Sequence, residues 1–401
     1  MEIKPILLAL KRSKFLAALL VIQIAFTMAV VSNSVFISVS TLKEWNLPSG
    51  IPHDDIIRVT PRFYDRSKSV TAAVNNDLKR LQEMPGVLSV TPTSGSPFAS
   101  ENVTEVYLTS EEEAQEYQTV IYDGTEHFLN TLQLELLEGR AFTAADMIYD
   151  SEEKNSEVML SEDMAKKLFP DSTAIGKTVW LSKGSDPVQV VGVYGNFMTG
   201  ETLNYYGKSY QSILRARSTW SHEQEPQYLI RMEPGIAESK LEDVASVFYQ
   251  EQGRYLSQYE RLKRVQKRMY DGRGSRALTF LVISAVLVFI TAFGIAGLTS
   301  FQVNQRRKQI GTRRALGARK SDILKYFLTE NSIISLVGLV LGLIVTLVMT
   351  FELSNIEQEN LLDIGLFIGI ALLFWAINII ATLVPAMRAA NISPATVTRG
   401  A

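Results

Sequence analysis

The chain has 401 residues, of which 46% are apolar, and its formal charge at neutral pH is −2. This length allows two or three folded units. Because the chain has no cysteine, it can form neither a disulfide framework nor a thiolate metal site.

The apolar residues are clustered rather than spread. Four stretches without Asp, Glu, Lys or Arg run over 15–42, 277–305, 331–351 and 364–387. A transmembrane helix needs about 20 mostly apolar residues, so each stretch is long enough to cross a bilayer. The core helices of a soluble protein seldom contain four such runs, and we predict an integral membrane protein.

The charged residues are segregated along the chain. Residues 1–14 carry four basic residues and one acidic residue, residues 40–276 carry 26 basic and 35 acidic residues, and residues 305–331 carry eight basic and two acidic residues. The loop 352–363 has four acidic residues and no basic one. Because short basic loops stay in the cytoplasm, this alternation predicts four spans with both termini on the cytoplasmic side.

The polar region between the first two spans contains two similar strand–helix units. The first combines a strand at 56–63 with a helix at 69–83, and the second combines a strand at 227–232 with a helix at 236–249. The intervening sequence, about 95–220, is richer in strands and turns. We therefore expect one small α/β subdomain that is interrupted by a mostly β insert.

A stalk helix is predicted at 256–276, just before the second span. Apolar residues there recur at a spacing close to 3.5, at Leu256, Tyr259, Leu262, Val265 and Met269. We expect the helix to continue into the span as a continuous rod, in which the Gly272 and Gly274 pair would allow a bend. Seven basic residues between Arg261 and Arg276 lie on the predicted outer side, and we expect them near the outer headgroups, because long loops are translocated regardless of charge.

The most strongly patterned stretch is the basic hairpin, defined here as residues 304–331. It carries Arg306, Arg307, Lys308, Arg313, Arg314, Arg319, Lys320 and Lys325 between two apolar runs. Gly311 and Gly317 are expected to set its bend, and Ser321 is expected to cap its second helix. The pattern predicts a bent helical hairpin along the membrane surface, and the alternative is a basic patch that only touches anionic lipid.

The order of residues in this hairpin resembles the signature of the MacB/FtsX-type ABC transporter permeases, R-x-x-E-I-G-x-R-R-A-x-G-A. In that family the segment carries the coupling helix, which docks on a cytoplasmic ATPase. The resemblance implies the following ATPase-coupling residues: Gly311, Arg313, Arg314, Ala315, Leu316, Gly317 and Arg319. Gln309 stands where the family has glutamate, and Thr312 where an apolar residue is usual.

The polar region is also similar to this family. The segments 134–146, 158–181 and 188–197 resemble the extracytoplasmic domain of MacB-type permeases. The resemblance implies a porter-like α/β subdomain with an inserted, mostly β subdomain. The expected fold class is an α-helical membrane protein with four transmembrane helices plus an extracytoplasmic α+β domain.

The predicted organisation follows from these patterns in chain order. It consists of a cytoplasmic amphipathic lead-in (1–14), transmembrane helix 1 (15–40), an extracytoplasmic domain (41–255), the stalk helix (256–276), transmembrane helix 2 (277–303), the cytoplasmic hairpin (304–331), transmembrane helix 3 (332–351), a short extracytoplasmic loop (352–363), transmembrane helix 4 (364–386) and a cytoplasmic tail (387–401).

Two G-x-x-x-G pairs lie in the last two spans, Gly338 with Gly342 and Gly365 with Gly369. Such pairs let helix backbones approach closely. They are predicted to pack helices either within one chain or across a dimer.

The sequence contains no convincing catalytic or binding motif of its own. The segment 174–178 is close to a phosphate-binding loop, but Asp171 occupies the position that needs glycine. The three histidines are isolated, without the spacing of a metal site. The basic clusters flank the spans and lack interleaved aromatic residues, so no nucleic acid partner is expected. No charge lies inside a span, which argues against an ion-driven transporter.

These observations and the resemblance predict a non-catalytic permease subunit in the bacterial inner membrane. A separate cytoplasmic ABC ATPase dimer would hold the cofactors, ATP and Mg, and this chain would hold none. It would transmit motion to the extracytoplasmic domain to export a peptide, toxin, antibiotic or lipoprotein. A second permease chain, identical or related, is expected, and a periplasmic adaptor and outer-membrane duct stay open. The alternatives are an FtsX-like regulator of a cell-wall hydrolase and a scaffold or sensor without an ATPase.

Overall fold

The computed structural model describes residues 14–45, 47–99, 103–111, 113–147, 156–200, 210–354 and 364–392. The chain forms two compact units. The membrane unit consists of Met1–Lys43 and Arg273–Ala401, and the extramembrane domain is Glu44–Gly272. Three predicted segments lie outside the described residues: the lead-in up to residue 13, the loop 355–363 and the tail from residue 393.

Long helices account for the membrane unit. They are α1 (Lys14–Trp45), α6 (Leu262–Gln305), α8 (Lys320–Ser354) and α9 (Ile364–Ala390), together with the short α7 (Arg307–Ala315). Each long helix contains a stretch apolar and long enough to cross a membrane, which confirms the predicted four-helix membrane part. Their outer faces carry exposed residues such as Leu278, Phe289 and Ile380, as expected of helices that face lipid.

Apolar packing and a few hydroxyl contacts hold the helices together. Ile24 of α1, Ile295 of α6 and Phe374 of α9 are buried in one cluster. The Thr27 and Thr291 hydroxyls lie 2.8 Å apart and join α1 to α6. A hydrogen bond between helices satisfies groups that lipid cannot satisfy.

The two G-x-x-x-G pairs occupy different environments. A Cβ at Gly338 would lie 2.8 Å from the Ile24 Cβ, so α8 packs against α1 at these glycines within one chain. Gly365 and Gly369 are exposed, and a Cβ at Gly369 would meet nothing within 4 Å. Close packing between helices of this chain is therefore found at the first pair and not at the second.

Substitution at these glycines gives a matched test. In Gly342→Ala the new Cβ would lie 2.7 Å from the Met28 Cβ and 2.9 Å from the Ala25 carbonyl oxygen. Overpacking of this kind costs about 1–3 kcal/mol, and we expect a lower unfolding temperature of the full chain in detergent. Gly369→Ala removes a glycine from a helix without a clash, so it should leave the temperature equal or higher. Equal destabilisation by both variants would contradict the assignment.

The extramembrane domain is built on one mixed sheet. The described strands are β1 (Ile56–Phe63), β2 (Val87–Thr93), β3 (Val103–Val106), β4 (Tyr117–Gly124), β5 (Leu136–Gly139), β6 (Glu157–Ser161), β7 (Thr178–Trp180), β8 (Pro187–Tyr194), β9 (Ser212–Ala216), β10 (Gln227–Met232) and β11 (Arg254–Arg261). Their order is β11-β1-β10-β2-β4-β9-β6-β8-β5, with β3 on β4 and β7 on β8. The helices are α2 (Val70–Gln82), α3 (Phe128–Leu132), α4 (Glu162–Leu168) and α5 (Leu241–Tyr249).

The sheet has two halves. In the first, β1, β10, β2 and β11 are antiparallel, and α2 and α5 cover them through Val74, Leu81 and Phe248. The second half contains β3 to β9 and is joined to the first by one paired position, Thr93 with Gly124. These halves are the α/β subdomain and the mostly β insert expected from the sequence, and the insert extends the same sheet.

The prediction of a helix from residue 256 is wrong for 256–261. These residues belong to β11, which pairs with β1 from Ile57 to Phe63. The 3.5 spacing arises because two different cores share the segment. Leu256 packs with the cluster under α2 and α5, whereas Leu262 is buried in a second cluster with Phe128 and Tyr194. The helix begins at Leu262.

A buried ion pair fixes β11 against α2. The Asp77 carboxylate accepts hydrogen bonds of 2.5 and 2.7 Å from the Arg254 guanidinium, and both side chains are almost completely buried. Tyr228 donates to the same carboxylate over 2.8 Å. The guanidinium also lies over the Phe63 and Phe248 rings. Paired and hydrogen-bonded in this way, two charges can be held in an apolar core.

A second ion pair lies near the surface. It makes the stability of the fold depend on pH. Asp146 accepts two hydrogen bonds from Arg140 and one from the Thr143 amide. These bonds, chiefly those from Arg140, lower the pKa of the Asp146 carboxyl to about 2. A lowered pKa stabilises the fold above the ordinary value near 4, and this stabilisation is lost as the pH falls towards 2. Asp146→Asn should therefore unfold at a lower temperature than wild type at pH 7, with the gap closing between pH 4 and 2. Asp171→Asn, at an exposed carboxylate, should show no such gap, and a gap for Asp146→Asn that does not change with pH would contradict this assignment.

Candidate functional site

The basic hairpin is formed by α7, a tight turn and the first turns of α8. Gly317 has φ of +100°, a conformation that favours glycine, and it ends α7. Its amide donates to the Arg314 carbonyl and the Ala318 amide donates to the Arg313 carbonyl. This pair of bonds is a Schellman motif, which satisfies the last carbonyls of the helix and reverses the chain direction.

Two details of the predicted hairpin are wrong. Gly311 lies within α7 and is buried, so it does not form the bend. Ser321 is not the cap of the second helix, because α8 begins at Lys320 and the Arg319 amide donates to the Asp322 carboxylate over 2.9 Å. The carboxylate three residues ahead satisfies an amide that has no partner within the helix.

One face of the hairpin packs inward. Ile310 of α7 and Ile323 and Phe327 of α8 are buried with Ala386 and Ala389 near the end of α9. These contacts explain why Gly311 is buried next to Ile310. The hairpin is thus anchored to the ends of the transmembrane helices through apolar contacts.

The outer face is basic with a single large apolar tip. Ala315 and Leu316 lie at the end of α7, and Leu316 is 83% exposed. Arg307, Lys308 and Arg319 are also exposed. The tip of the hairpin therefore combines one large exposed apolar side chain with surrounding positive charge.

Arg313 and Arg314 are both partly engaged within the hairpin. The Arg313 guanidinium lies 5.3 Å from the centre of the Tyr326 ring, which is within the range of a cation–π contact. Arg314 is half-buried and donates to the Ala318 carbonyl over 2.9 Å. Arg313 keeps an exposed guanidinium, whereas Arg314 also supports the turn.

An ion pair that the sequence did not indicate lies beneath this face. Arg306, between α6 and α7, donates to both oxygens of the Glu330 carboxylate over 2.8 and 3.1 Å, and Glu330 is fully buried. Arg306 also donates to the Tyr326 hydroxyl over 3.3 Å. The four-residue spacing of Tyr326 and Glu330 places both on one face of α8, but no local pattern in the sequence links Glu330 to Arg306.

No group of three or more His, Cys, Asp or Glu side chains that could hold a metal occurs within the described ranges. The segment resembling a phosphate-binding loop is a turn at Gly176, with φ of +77°, that leads into β7.

Comparisons with known families agree with this architecture. The MacB-like periplasmic core domain matches residues 17–246, more than half of the chain, and the FtsX-like permease C-terminal family matches residues 281–394. The chain belongs to the MacB/FtsX-type ABC transporter permeases.

Curated relatives of the permease share modest identity. The permease is 23% identical over 348 residues to the ABC transporter permease YknZ of Bacillus subtilis, and the match covers 86% of this chain and 82% of YknZ. It is 23% identical over 343 residues to the macrolide export ATP-binding/permease protein MacB of Mannheimia succiniciproducens, covering 82% of this chain and 50% of MacB. The permease thus spans about half the length of its MacB relatives.

Solved structures of the same kind resemble part of the permease. The periplasmic region of MacB from Actinobacillus actinomycetemcomitans covers 57% of this chain and 97% of its own, with 16% identity and a TM-score of 0.35. The extracellular domain of YknZ covers 50% of this chain and 100% of its own, with 16% identity and a TM-score of 0.32.

Proposed function

We propose that this permease couples a separate cytoplasmic ABC ATPase to movement of its extracytoplasmic domain, for export of a peptide, toxin, antibiotic or lipoprotein. The observation that carries the proposal is the two-sided hairpin: an exposed Leu316 among bases on one face, and apolar packing on helices α8 and α9 on the other. A partner that pushes on the outer face would move the ends of the transmembrane helices.

The polar network under the hairpin provides a route for this movement. Arg313 contacts Tyr326, Tyr326 contacts Arg306, and Arg306 is bound to Glu330. The network joins α7 to the end of α6 and the beginning of α8. Because the Glu330 carboxylate on α8 is fully buried, displacing the junction of α6 and α7 without α8 would separate a buried charge pair.

The proposed coupling is tested by charge reversal. In Arg313→Glu/Arg314→Glu, ATP hydrolysis and the amount of ATPase that co-purifies with the tagged permease should both fall strongly. Lys79→Glu/Lys177→Glu makes the same change in charge at exposed positions of the extramembrane domain and should leave both values unchanged. Equal values for the two double variants would overturn the proposal.

The proposed orientation is tested by labelling. The chain is free of cysteine, so Lys308→Cys and Ser172→Cys each introduce a unique, exposed thiol. An impermeant maleimide should label position 172 in spheroplasts and position 308 only after permeabilisation. Labelling of both from the same side would exclude transmission across the membrane.

A further inference from the structure

The junction between β11 and α6 contains no loop residue. The strand ends at Arg261 and the helix begins at Leu262. Without a loop, the angle between strand and helix depends on side chains that contact both elements.

Glu260 contacts both sides of this junction. Its side chain is 6% exposed, and Oε1 accepts a hydrogen bond of 2.6 Å from Arg58 on the neighbouring strand β1. Its Oε2 is bound to Arg268, two turns into α6. One carboxylate therefore ties the sheet to the helix, and bending at the junction would pull a buried carboxylate from a guanidinium.

Other contacts also hold the first turns of α6 against the extramembrane domain. The Lys263 amide donates to the His53 carbonyl over 3.0 Å, and its ammonium lies 2.6 Å from Asp54. The hydrogen bond from Lys263 lowers the pKa of the Asp54 carboxyl. Leu262 and Val265 are buried in the domain core. Three of the seven bases expected at the headgroups, those at 261, 263 and 268, are thus paired with carboxylates of the extramembrane domain.

We propose that Glu260 is a positioning residue that makes the β11–α6 junction rigid, so that a displacement of α6 moves the sheet instead of bending the chain at Arg261. This inference rests on the proposed function for its use, but the rigidity itself is a property of the extramembrane domain. Charge pairing explains why the contact resists bending: Glu260 is buried and satisfied from two directions at once.

Arg268→Gln is the informative variant. Arg268 is 56% exposed, and its loss leaves Glu260 still bound to Arg58, so the domain should fold. Arg264→Gln makes the same change at an exposed position one turn away and is the matched control. Thermal unfolding of both variants should occur at similar temperatures, which shows that later differences do not come from global destabilisation.

The junction is measured by spin labels on the full chain in nanodiscs. Asn75→Cys on α2 and Asp271→Cys on α6 are exposed, and no native cysteine competes for the label. The distance distribution between them should be narrow in the labelled parent and in Arg264→Gln, and broader in Arg268→Gln. Equal widths of the distance distribution in all three proteins would overturn the proposal. This measurement uses the permease alone, so its outcome does not depend on an ATPase.

A second pair of labels separates this inference from the proposed function. In the permease–ATPase complex, the distance between labels at Asn75 and Gln305 is recorded before and after addition of ATP with vanadate. If the parent shows no shift, the proposed function fails, and the width measurement alone decides about the junction. If the parent shows a shift, Arg268→Gln should lose it while Arg264→Gln keeps it, and a full shift in Arg268→Gln would overturn the positioning role.

Discussion

Replacing Asp77 by alanine is expected to lower the free energy of unfolding of the extramembrane domain by about 3–5 kcal/mol. The reason is that Arg254 would remain buried with no carboxylate, while the Tyr228 hydroxyl would lose its acceptor. The bond between α2 and β11 would disappear with them. Chemical unfolding of the full chain, followed by tryptophan fluorescence, measures the loss.

Two further variants show whether the loss of stability in Asp77→Ala comes from the unpaired charge of the buried Arg254. Asp243→Ala removes a pair with Lys240 in which Asp243 is 54% exposed, and exposed pairs contribute about 0.2–1 kcal/mol. Asp77→Leu/Arg254→Met removes both charges, and apolar replacement of a buried pair is often neutral, so much of the loss should be recovered. A cost for Asp77→Ala no larger than that for Asp243→Ala would contradict the assignment.

The membrane part could be predicted from composition because lipid imposes a simple rule. A spanning helix needs a long run without charges, and the four runs in this chain meet that rule without reference to any partner. The strand–helix units at Ile56–Phe63 with Val70–Gln82 were also predictable, since alternation and helical spacing are local patterns.

The features that the sequence did not predict correctly depend on partners outside the local segment. The helical spacing of Leu256 and Tyr259 was outweighed by pairing with β1, about 200 residues earlier in the chain. The same holds for Glu330, whose partner Arg306 lies on the other side of the hairpin. Local periodicity does not reveal which of two ladders or helices a segment will join.

Within the hairpin, residue types were predictable and their roles were not. Positive charge and the glycine at Gly317 follow from the sequence, because a left-handed turn after a helix favours glycine. Gly311 and Gly317 frame the segment 312–316 and both are expected at the bend, but Gly311 lies within α7, where its neighbour Ile310 packs towards α9. The exposure of Leu316 depends on that orientation, so only the folded hairpin shows it.

Two groups of ion pairs in this permease connect secondary-structure elements in the same way. Glu330 with Arg306 joins the beginning of α8 to the junction of α6 and α7, and Glu260 with Arg58 and Arg268 joins the other end of α6 to the sheet. In both, a buried carboxylate holds two elements together. Buried pairs add little net stability but cost much to separate, so under the proposed function both links would resist deformation when α6 is displaced.

Leu316→Asp is expected to weaken binding of the ATPase at least about 30-fold, which corresponds to about 2 kcal/mol for an anchor residue. Leu316 is 83% exposed at the tip of the hairpin, so no contact within this chain should be lost. In the proposed complex the leucine would enter an apolar pocket of the ATPase, and an aspartate there would be desolvated among apolar groups. Titration of the reconstituted permease with the purified ATPase, followed by stimulated ATP hydrolysis, gives the affinity.

The matched control is Leu88→Asp, which places the same charge at a leucine that is 49% exposed on β2 of the extramembrane domain. Both variants should unfold at temperatures close to that of wild type, and Leu88→Asp should keep wild-type affinity for the ATPase. If Leu316→Asp also kept it, the apolar tip would not contribute to binding, and the loss of binding expected on charge reversal at Arg313 and Arg314 would come from the bases. Loss of affinity for Leu316→Asp alone would show that the apolar tip contributes to docking beyond the attraction of the surrounding charges.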